Sequence, residues 1–120
     1  MSQSTLFDPK QAGIIRLAEA TQFSDAGIVS RALHDQGGVR VTLFAFVAGQ
    51  QITEHATPAR ALVQILSGAC EFSLAGEKAP LRAGDLLHLP PGLPHAVLAT
   101  EAFSMLTTLI RETRAAPAAD

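Results

Sequence analysis

The sequence predicts an all-β protein, built as a small antiparallel barrel or jelly roll. Between residues 28 and 110 the chain changes character about every eight to twelve residues, with Gly, Pro or another turn former at each change. No segment shows the apolar period of an amphipathic helix of normal length. A closed barrel is favoured for many short strands because closure removes exposed strand edges.

The first predicted strands form a hairpin. Residues 28–34 and 39–47 flank the pair Gly37-Gly38, which suits a tight turn. Both faces of the second strand are largely apolar, so we expect it to be covered on both sides. This pattern favours a homodimer formed through a sheet face or through exchanged edge strands. The earlier stretch IIRLAEAT fits either one short helical turn or a strand.

The remaining strands follow in the second half of the chain. ALVQIL precedes ACEFSL, which alternates and places Cys70, Phe72 and Leu74 on one face. Cys70 is therefore predicted to be a buried small hydrophobe rather than a reactive thiol. AGEKAP is predicted as a turn and a short strand as beginning at Leu81, after which DLLHL, HAVLA and FSMLTTLI complete the set.

Composition limits the class of protein. The chain has 120 residues and a mass of 12.6 kDa, which predicts one domain over 1–120, with a barrel core at about 28–110 between a flexible N-terminal arm and C-terminal tail. A net charge of -2 without clustered Lys or Arg argues against nucleic acid as a partner. Neither a signal peptide nor a membrane-spanning run is seen, so we expect a cytoplasmic protein without a membrane partner.

One motif surrounds His95. In GDLLHLPPGLPHAVLA, Gly84 is followed after five residues by Pro90, then by Gly92 and, after two more residues, by His95. This stretch closely resembles the second motif of the cupin family, in which a glycine, a P-x-G turn and a histidine have these spacings. The family motif ends with Asn where this chain has Ala99. The prolines are expected to form a rigid turn.

A second match begins at Gly49. The first cupin motif contains a glycine, the pattern H-x-H, a glutamate and a final glycine, and this chain keeps both glycines (the second is Gly68) and His55. Thr57 stands in place of the second histidine, and Ala61 in place of the glutamate. The resemblance extends over roughly residues 28–110, and it implies a single cupin domain folded as a double-stranded β-helix, or jelly-roll barrel.

The resemblance also implies a metal site, of which this chain keeps half. Cupins commonly bind a divalent ion through three histidines and one glutamate, whereas only His55 and His95 stand at ligand positions here. First-row ions are usually held by three or more protein ligands. We therefore expect binding of Zn, Fe, Mn or Ni at His55 and His95 to be weak or absent.

Strand alternation sorts the side chains around these two histidines. If both point into the barrel, the residues expected to share the interior are Thr53, Thr57, Ala61, Val63, Ile65, Val97 and Ala99. The predicted ligand pocket consists of His55, Thr57, Ala61, Val63, His95 and Val97. His34 and His88 are expected at the surface or at an interface.

Three functions remain open. The first is a binding module that holds a small organic ligand, such as a carboxylate, with His55 and His95 as its polar groups. The second, implied by the resemblance, is a metal-dependent dioxygenase or isomerase with His34 or His88 as an added ligand. The third is a structural or regulatory dimer without catalytic activity. No acid–base pair is evident, so catalytic residues are not assigned.

Overall fold

The computed structural model describes residues 4–112 and confirms the all-β prediction. It contains two antiparallel sheets that enclose one core, as in a jelly roll. The strands in chain order are β1 (Val29–Gln36), β2 (Val39–Phe46), β3 (Gln51–His55), β4 (Arg60–Ser67), β5 (Ala69–Leu74), β6 (Glu77–Arg82), β7 (Leu86–Leu89), β8 (His95–Ala99) and β9 (Phe103–Ile110). The five-stranded sheet has the order β1-β2-β9-β4-β7, and the four-stranded sheet the order β3-β8-β5-β6.

The closed end of the barrel is packed with aromatic side chains. Phe46 of β2 and Phe103 of β9 are opposite each other in the ladder, are 0% exposed, and stack with their ring centroids 4.6 Å apart. Cys70 and Phe72 of β5 belong to the same core, as the alternation of ACEFSL predicts. This packing fills one end of the barrel, so any open volume has to lie toward the other end.

The outward face of β2 is buried within this one chain. Leu43 and Ala45 alternate with the inward phenylalanines and are each only 2% exposed. The backbone amides of Leu6 and Phe7 donate to carbonyls of β1, and a short helical turn, α1 (Leu17–Ala20), lies on this side of the sheet. Burial within one chain therefore accounts for the two-sided apolar pattern of β2. The apolar pattern of β2 is therefore not an argument for a homodimer. The homodimer stays a prediction.

Two details of local structure refine the sequence predictions. The stretch IIRLAEAT contains the single turn α1, and across the described part of the chain no helix is long and apolar enough to cross a membrane. The predicted turn AGEKAP is wrong in extent, because β6 already begins at Glu77. Ala75 and Gly76, with φ of 50° and 90°, turn the chain in two residues. Pro80 is tolerated in β6 because β6 lies at a sheet edge.

Candidate functional site

A cavity of about 290 Å³ lies between the sheets, on the mouth side of the aromatic core. Most of its wall is apolar, and its polar side chains are two histidines and two threonines. The lining residues are Phe44, Ile52, His55, Thr57, Ala61, Val63, Phe72, Leu89, His95, Val97, Met105, Thr107 and Leu109. All six residues of the predicted pocket are among them. The structure thus brings together side chains from both halves of the sequence.

His55 and His95 form the polar end of this cavity. They are directly opposite each other in the β3–β8 ladder, and their ring centroids are 4.3 Å apart with an angle of 58° between the ring planes. His95 is 8% exposed, whereas His55 is exposed at the opening. An occupant entering from solvent would therefore meet His55 first and His95 deeper in the cavity.

Both imidazoles are oriented by their own strands. His55 Nδ1 lies 3.0 Å from the carbonyl oxygen of Thr53, and His95 Nδ1 lies 2.9 Å from that of Leu93. A carbonyl oxygen only accepts hydrogen bonds, so each Nδ1 must carry the proton and donate. In the neutral ring, Nε2 is then the unprotonated nitrogen. The pair thus has two hydrogen-bond acceptors available to an occupant of the cavity.

An irregularity in β3 changes which residues point inward. The β3–β8 register shifts between Ile52 and His55, so the two residues both line the cavity although they are separated by an odd number of positions. Thr53, which simple alternation from His55 predicts to be inward, instead lines a shallow depression on the outer surface of this sheet. The inward prediction for Thr53 is therefore wrong, and Ile52 takes the place in the wall.

Sequence reasoning missed the contribution of β2 and β9 to the cavity wall. Phe44 of β2 and Met105, Thr107 and Leu109 of β9 face the cavity. Their alternation is visible in the sequence, since they occupy every second position of FSMLTTLI and its partner strand. What the sequence does not give is the pairing of β2 with β9, which places these residues opposite the histidines.

The other two histidines lie away from the cavity. His88 points outward from β7, where its Nε2 accepts a hydrogen bond of 2.6 Å from Arg60, which also pairs with Glu112. His34 is opposite Val41 on β2, whose side chain faces away from the barrel. Neither of them lines the cavity that contains His55 and His95. The structure therefore supplies no third imidazole beside that pair.

The cavity is a poor match for the divalent metal that cupins commonly hold. Among residues 4–112, no group of three or more His, Cys, Asp or Glu side chains could hold an ion. Ala61 offers no donor, and the hydroxyl of Thr57 already accepts a hydrogen bond of 3.2 Å from the Ala59 amide. With two imidazoles and apolar walls, most of the coordination sphere would have to be water. The residues that line this cavity therefore do not fit a bound divalent metal ion.

The single thiol belongs to the core and not to the site. Cys70 is 1% exposed and is absent from the cavity wall. Burial, together with a smaller effect of the nearby Asp85 charge, raises the pKa of the Cys70 thiol to about 11. A thiol held protonated in this way is a weak nucleophile and a weak ligand. Cys70 therefore has the structural role that its strand position predicts.

Comparison with known families agrees with the motifs and the sheet order. The family model of the cupin domain, Cupin_2, matches residues 42–109, which is more than half of the chain. The chain belongs to the cupin family. The match begins in β2 and ends in β9, so it includes every strand that lines the cavity. Among curated proteins, none matches the chain.

Solved structures of several other proteins, two of them described as cupins, have the same fold. A conserved protein of unknown function from Streptococcus pyogenes is 29% identical, with 94% of this chain and 99% of that chain covered and a TM-score of 0.80. A cupin superfamily protein from Desulfitobacterium hafniense is 25% identical over 85% of this chain and 94% of that one, with a TM-score of 0.78. A cupin 2 conserved barrel domain protein from Leptotrichia buccalis is 32% identical over 80% of this chain and 47% of that one, with a TM-score of 0.76.

Proposed function

We propose that this cupin is a small-molecule binding protein that holds an organic ligand in the barrel without a required metal ion. The observation that carries the proposal is a cavity with largely apolar walls, in which two imidazoles converge from neighbouring strands. Ligand sites commonly combine an apolar wall with a few placed polar groups that fix the orientation of the ligand. The volume of about 290 Å³ suits a small ligand.

The tautomers of the histidines select the chemistry of the ligand. Because His55 and His95 each donate through Nδ1 to a backbone carbonyl, the neutral rings present Nε2 as an acceptor. The preferred partner is a hydroxyl or N–H group that donates a hydrogen bond. A carboxylate has only acceptors, so it matches the neutral imidazoles poorly. We therefore propose a ligand with an apolar body and a donor group that reaches the histidine pair.

The proposal is tested with two probes, of which one has a hydroxyl donor and the other has that donor capped by a methyl group. These are 2-phenylethanol and its methyl ether, titrated into EDTA-treated protein and followed by NMR at the backbone amides of Thr57 and Val97. We expect the alcohol to bind about threefold to tenfold more tightly, which corresponds to one net hydrogen bond. His55→Ala and His95→Ala should remove this preference, and His34→Ala is the matched control that should keep it.

A cavity-filling variant tests the location of binding. Ala61 is 3% exposed and lines the cavity, so Ala61→Leu should occupy part of its volume and weaken both probes. If neither probe shifts the cavity amides of the wild-type protein at millimolar concentration, the proposal is wrong. It is also wrong if binding survives only in protein loaded with Zn, Fe, Mn or Ni and is lost after EDTA treatment.

A further inference from the structure

The inward side chains of the five-stranded sheet change from aromatic to cationic toward the barrel mouth. On β2 the inward series runs from Phe46 through Phe44 and Thr42 to Arg40. On β9 the opposing series starts at Phe103, reaches Leu109 opposite Arg40, and continues at the same spacing to Arg111. Both series therefore begin at the closed aromatic end and end in a guanidinium group at the open end.

The two arginines line a second recess, which lies next to the cavity at the barrel mouth. This outer recess has a volume of about 440 Å³, and its wall includes Arg40, Arg111 and Asp35. Thr57 and Leu109 line both the outer recess and the cavity, so the two spaces meet along these residues. A ligand seated in the cavity could therefore extend a group toward the arginines without leaving the barrel mouth.

The charges around the outer recess favour an anion. Within residues 4–112 neither Arg40 nor Arg111 forms an ion pair, and the neighbouring Glu112 is paired with Arg60. One acid, Asp35, also lines the recess and is opposite Arg40 in the β1–β2 ladder, although no ion pair joins them. Two guanidinium groups beside one carboxylate leave an excess of positive charge, in a chain whose net charge is -2.

We infer that the ligand of this cupin carries an anionic group, which binds between Arg40 and Arg111 while the apolar body occupies the cavity. The inference rests on the proposed binding function and adds the ligand class, a small amphipathic hydroxy-carboxylate or a compound of equivalent chemistry. Guanidinium groups provide several fixed donors to a carboxylate, which the neutral imidazoles lack. The histidine pair thus accepts a hydrogen bond from the hydroxyl group, and the arginines neutralise the charge of the anion.

The test compares two probes of nearly equal shape and different charge. 3-Phenyllactate carries a phenyl ring, a hydroxyl and a carboxylate, and 3-phenyllactamide replaces the carboxylate with a neutral amide. We expect the wild-type protein to bind the carboxylate about threefold to tenfold more tightly at low salt, since exposed charge pairs are individually weak. This preference should shrink as ionic strength rises to about 0.5 M, because salt screens the recess.

Variants assign the preference to the two arginines. Arg40→Gln and Arg111→Gln should each reduce the ratio of the affinity for the carboxylate to the affinity for the amide. Asp35→Asn should increase the preference because it removes the acid of the recess. Arg82→Gln is the matched control. It removes the same charge, and Arg82 lies opposite Ala69 at the other end of the barrel. Circular dichroism and thermal unfolding check that all four variants fold.

The outcomes separate this inference from the function on which it rests. Equal affinity for carboxylate and amide in the wild-type protein, with both seated in the cavity, overturns the anion site while the proposed binding function stands. A carboxylate preference that Arg82→Gln reduces as much as Arg40→Gln also overturns it, because long-range charge would then be the cause. If 2-phenylethanol likewise fails to bind, the proposed function itself is wrong.

Discussion

His55 and His95 are opposite each other across the β3–β8 ladder with their ring centroids 4.3 Å apart, yet within residues 4–112 each ring is hydrogen-bonded only to its own chain segment. The bond runs in both cases from Nδ1 to the carbonyl oxygen two residues earlier. The histidines therefore do not bond to each other, and both keep Nε2 for an occupant.

Both histidines should be the Nδ1-protonated tautomer when neutral. The tautomer of a neutral imidazole is set by the hydrogen bond that its other nitrogen makes, and here a carbonyl oxygen fixes Nδ1 as the donor. Long-range ¹H–¹⁵N correlation spectra at alkaline pH distinguish the tautomers, with His34 as an internal comparison. An Nε2-protonated ring at either position would contradict the geometry on which the proposed ligand chemistry depends.

Restoring the two altered ligand positions of the first motif should create a metal site. Thr57 and Ala61 line the cavity with the histidines, so Thr57→His with Ala61→Glu would place four ligands there. We expect the double variant to bind Zn at least about tenfold more tightly than the wild type, measured by competition with a chelating dye. The matched control is Thr57→Ser with Ala61→Gly. Equal Zn affinity in the wild type and the double variant would show that the present residues already form a site.

Cys70 should be unreactive in the folded protein and should make stability depend on alkaline pH. Burial raises the pKa of the Cys70 thiol from 9.0 to about 11, so the unfolded chain releases this proton first. The contribution of the protonated Cys70 thiol to the free energy of unfolding is fully present below pH 9 and is lost as the pH rises toward about 11. The upper limit of this loss is about 3 kcal/mol. Urea unfolding at pH 8, 9, 10 and 11 measures the loss.

Cys70→Ala is the control for this dependence. The variant should lack the part of the alkaline decline that belongs to the thiol, whatever other groups titrate. Modification by a thiol reagent at pH 8 should be slow in the native protein and fast in urea. Rapid native modification, or an identical alkaline decline in Cys70→Ala, would contradict the burial of this residue.

Gly68 should be the glycine that tolerates a side chain least. It has φ of +73°, and a Cβ would lie 1.9 Å from the Ala102 carbonyl oxygen and 2.8 Å from Phe103 Cα. Gly37 has a similar φ of +64°, and a Cβ added there would have no heavy atom of residues 4–112 within 4 Å apart from its two chain neighbours. Gly37→Ala should lower the free energy of unfolding by about 1–2 kcal/mol, because the left-handed backbone conformation is unfavourable for a residue with a Cβ. Gly68→Ala should cost more than Gly37→Ala, because the backbone of the β4–β5 turn must also move away from β9.

Urea denaturation of both glycine variants measures this difference directly. Equal destabilisation would mean that Gly68 is required only for its backbone conformation and not for the close approach of the turn to Phe103. Failure of Gly68→Ala to fold, together with a folded Gly37→Ala, agrees with the prediction. The comparison bears on why the first cupin motif ends in glycine in this chain.

Much of the barrel could be predicted from local pattern. Alternation in ACEFSL placed Cys70 and Phe72 in the core, and the spacing from Gly84 to His95 indicated the second cupin motif. The prediction failed where pairing overrides local signals. AGEKAP looks like a turn by composition, but Glu77 to Arg82 pair with β5 because Ala75 and Gly76 complete the turn alone.

Local sequence pattern is sufficient to predict the fold class, the family motifs and the presence of His55 and His95 where cupins place ligands. The surroundings of the two histidines depend on the folded barrel, because cavity walls are set by strand pairing and register, which act between distant segments. The shift in β3 exchanged Thr53 for Ile52, and the β2–β9 pairing brought Phe44 and Leu109 opposite the histidines. Side-chain alternation is a local property of a strand, whereas the face that becomes an interior is a property of the whole barrel.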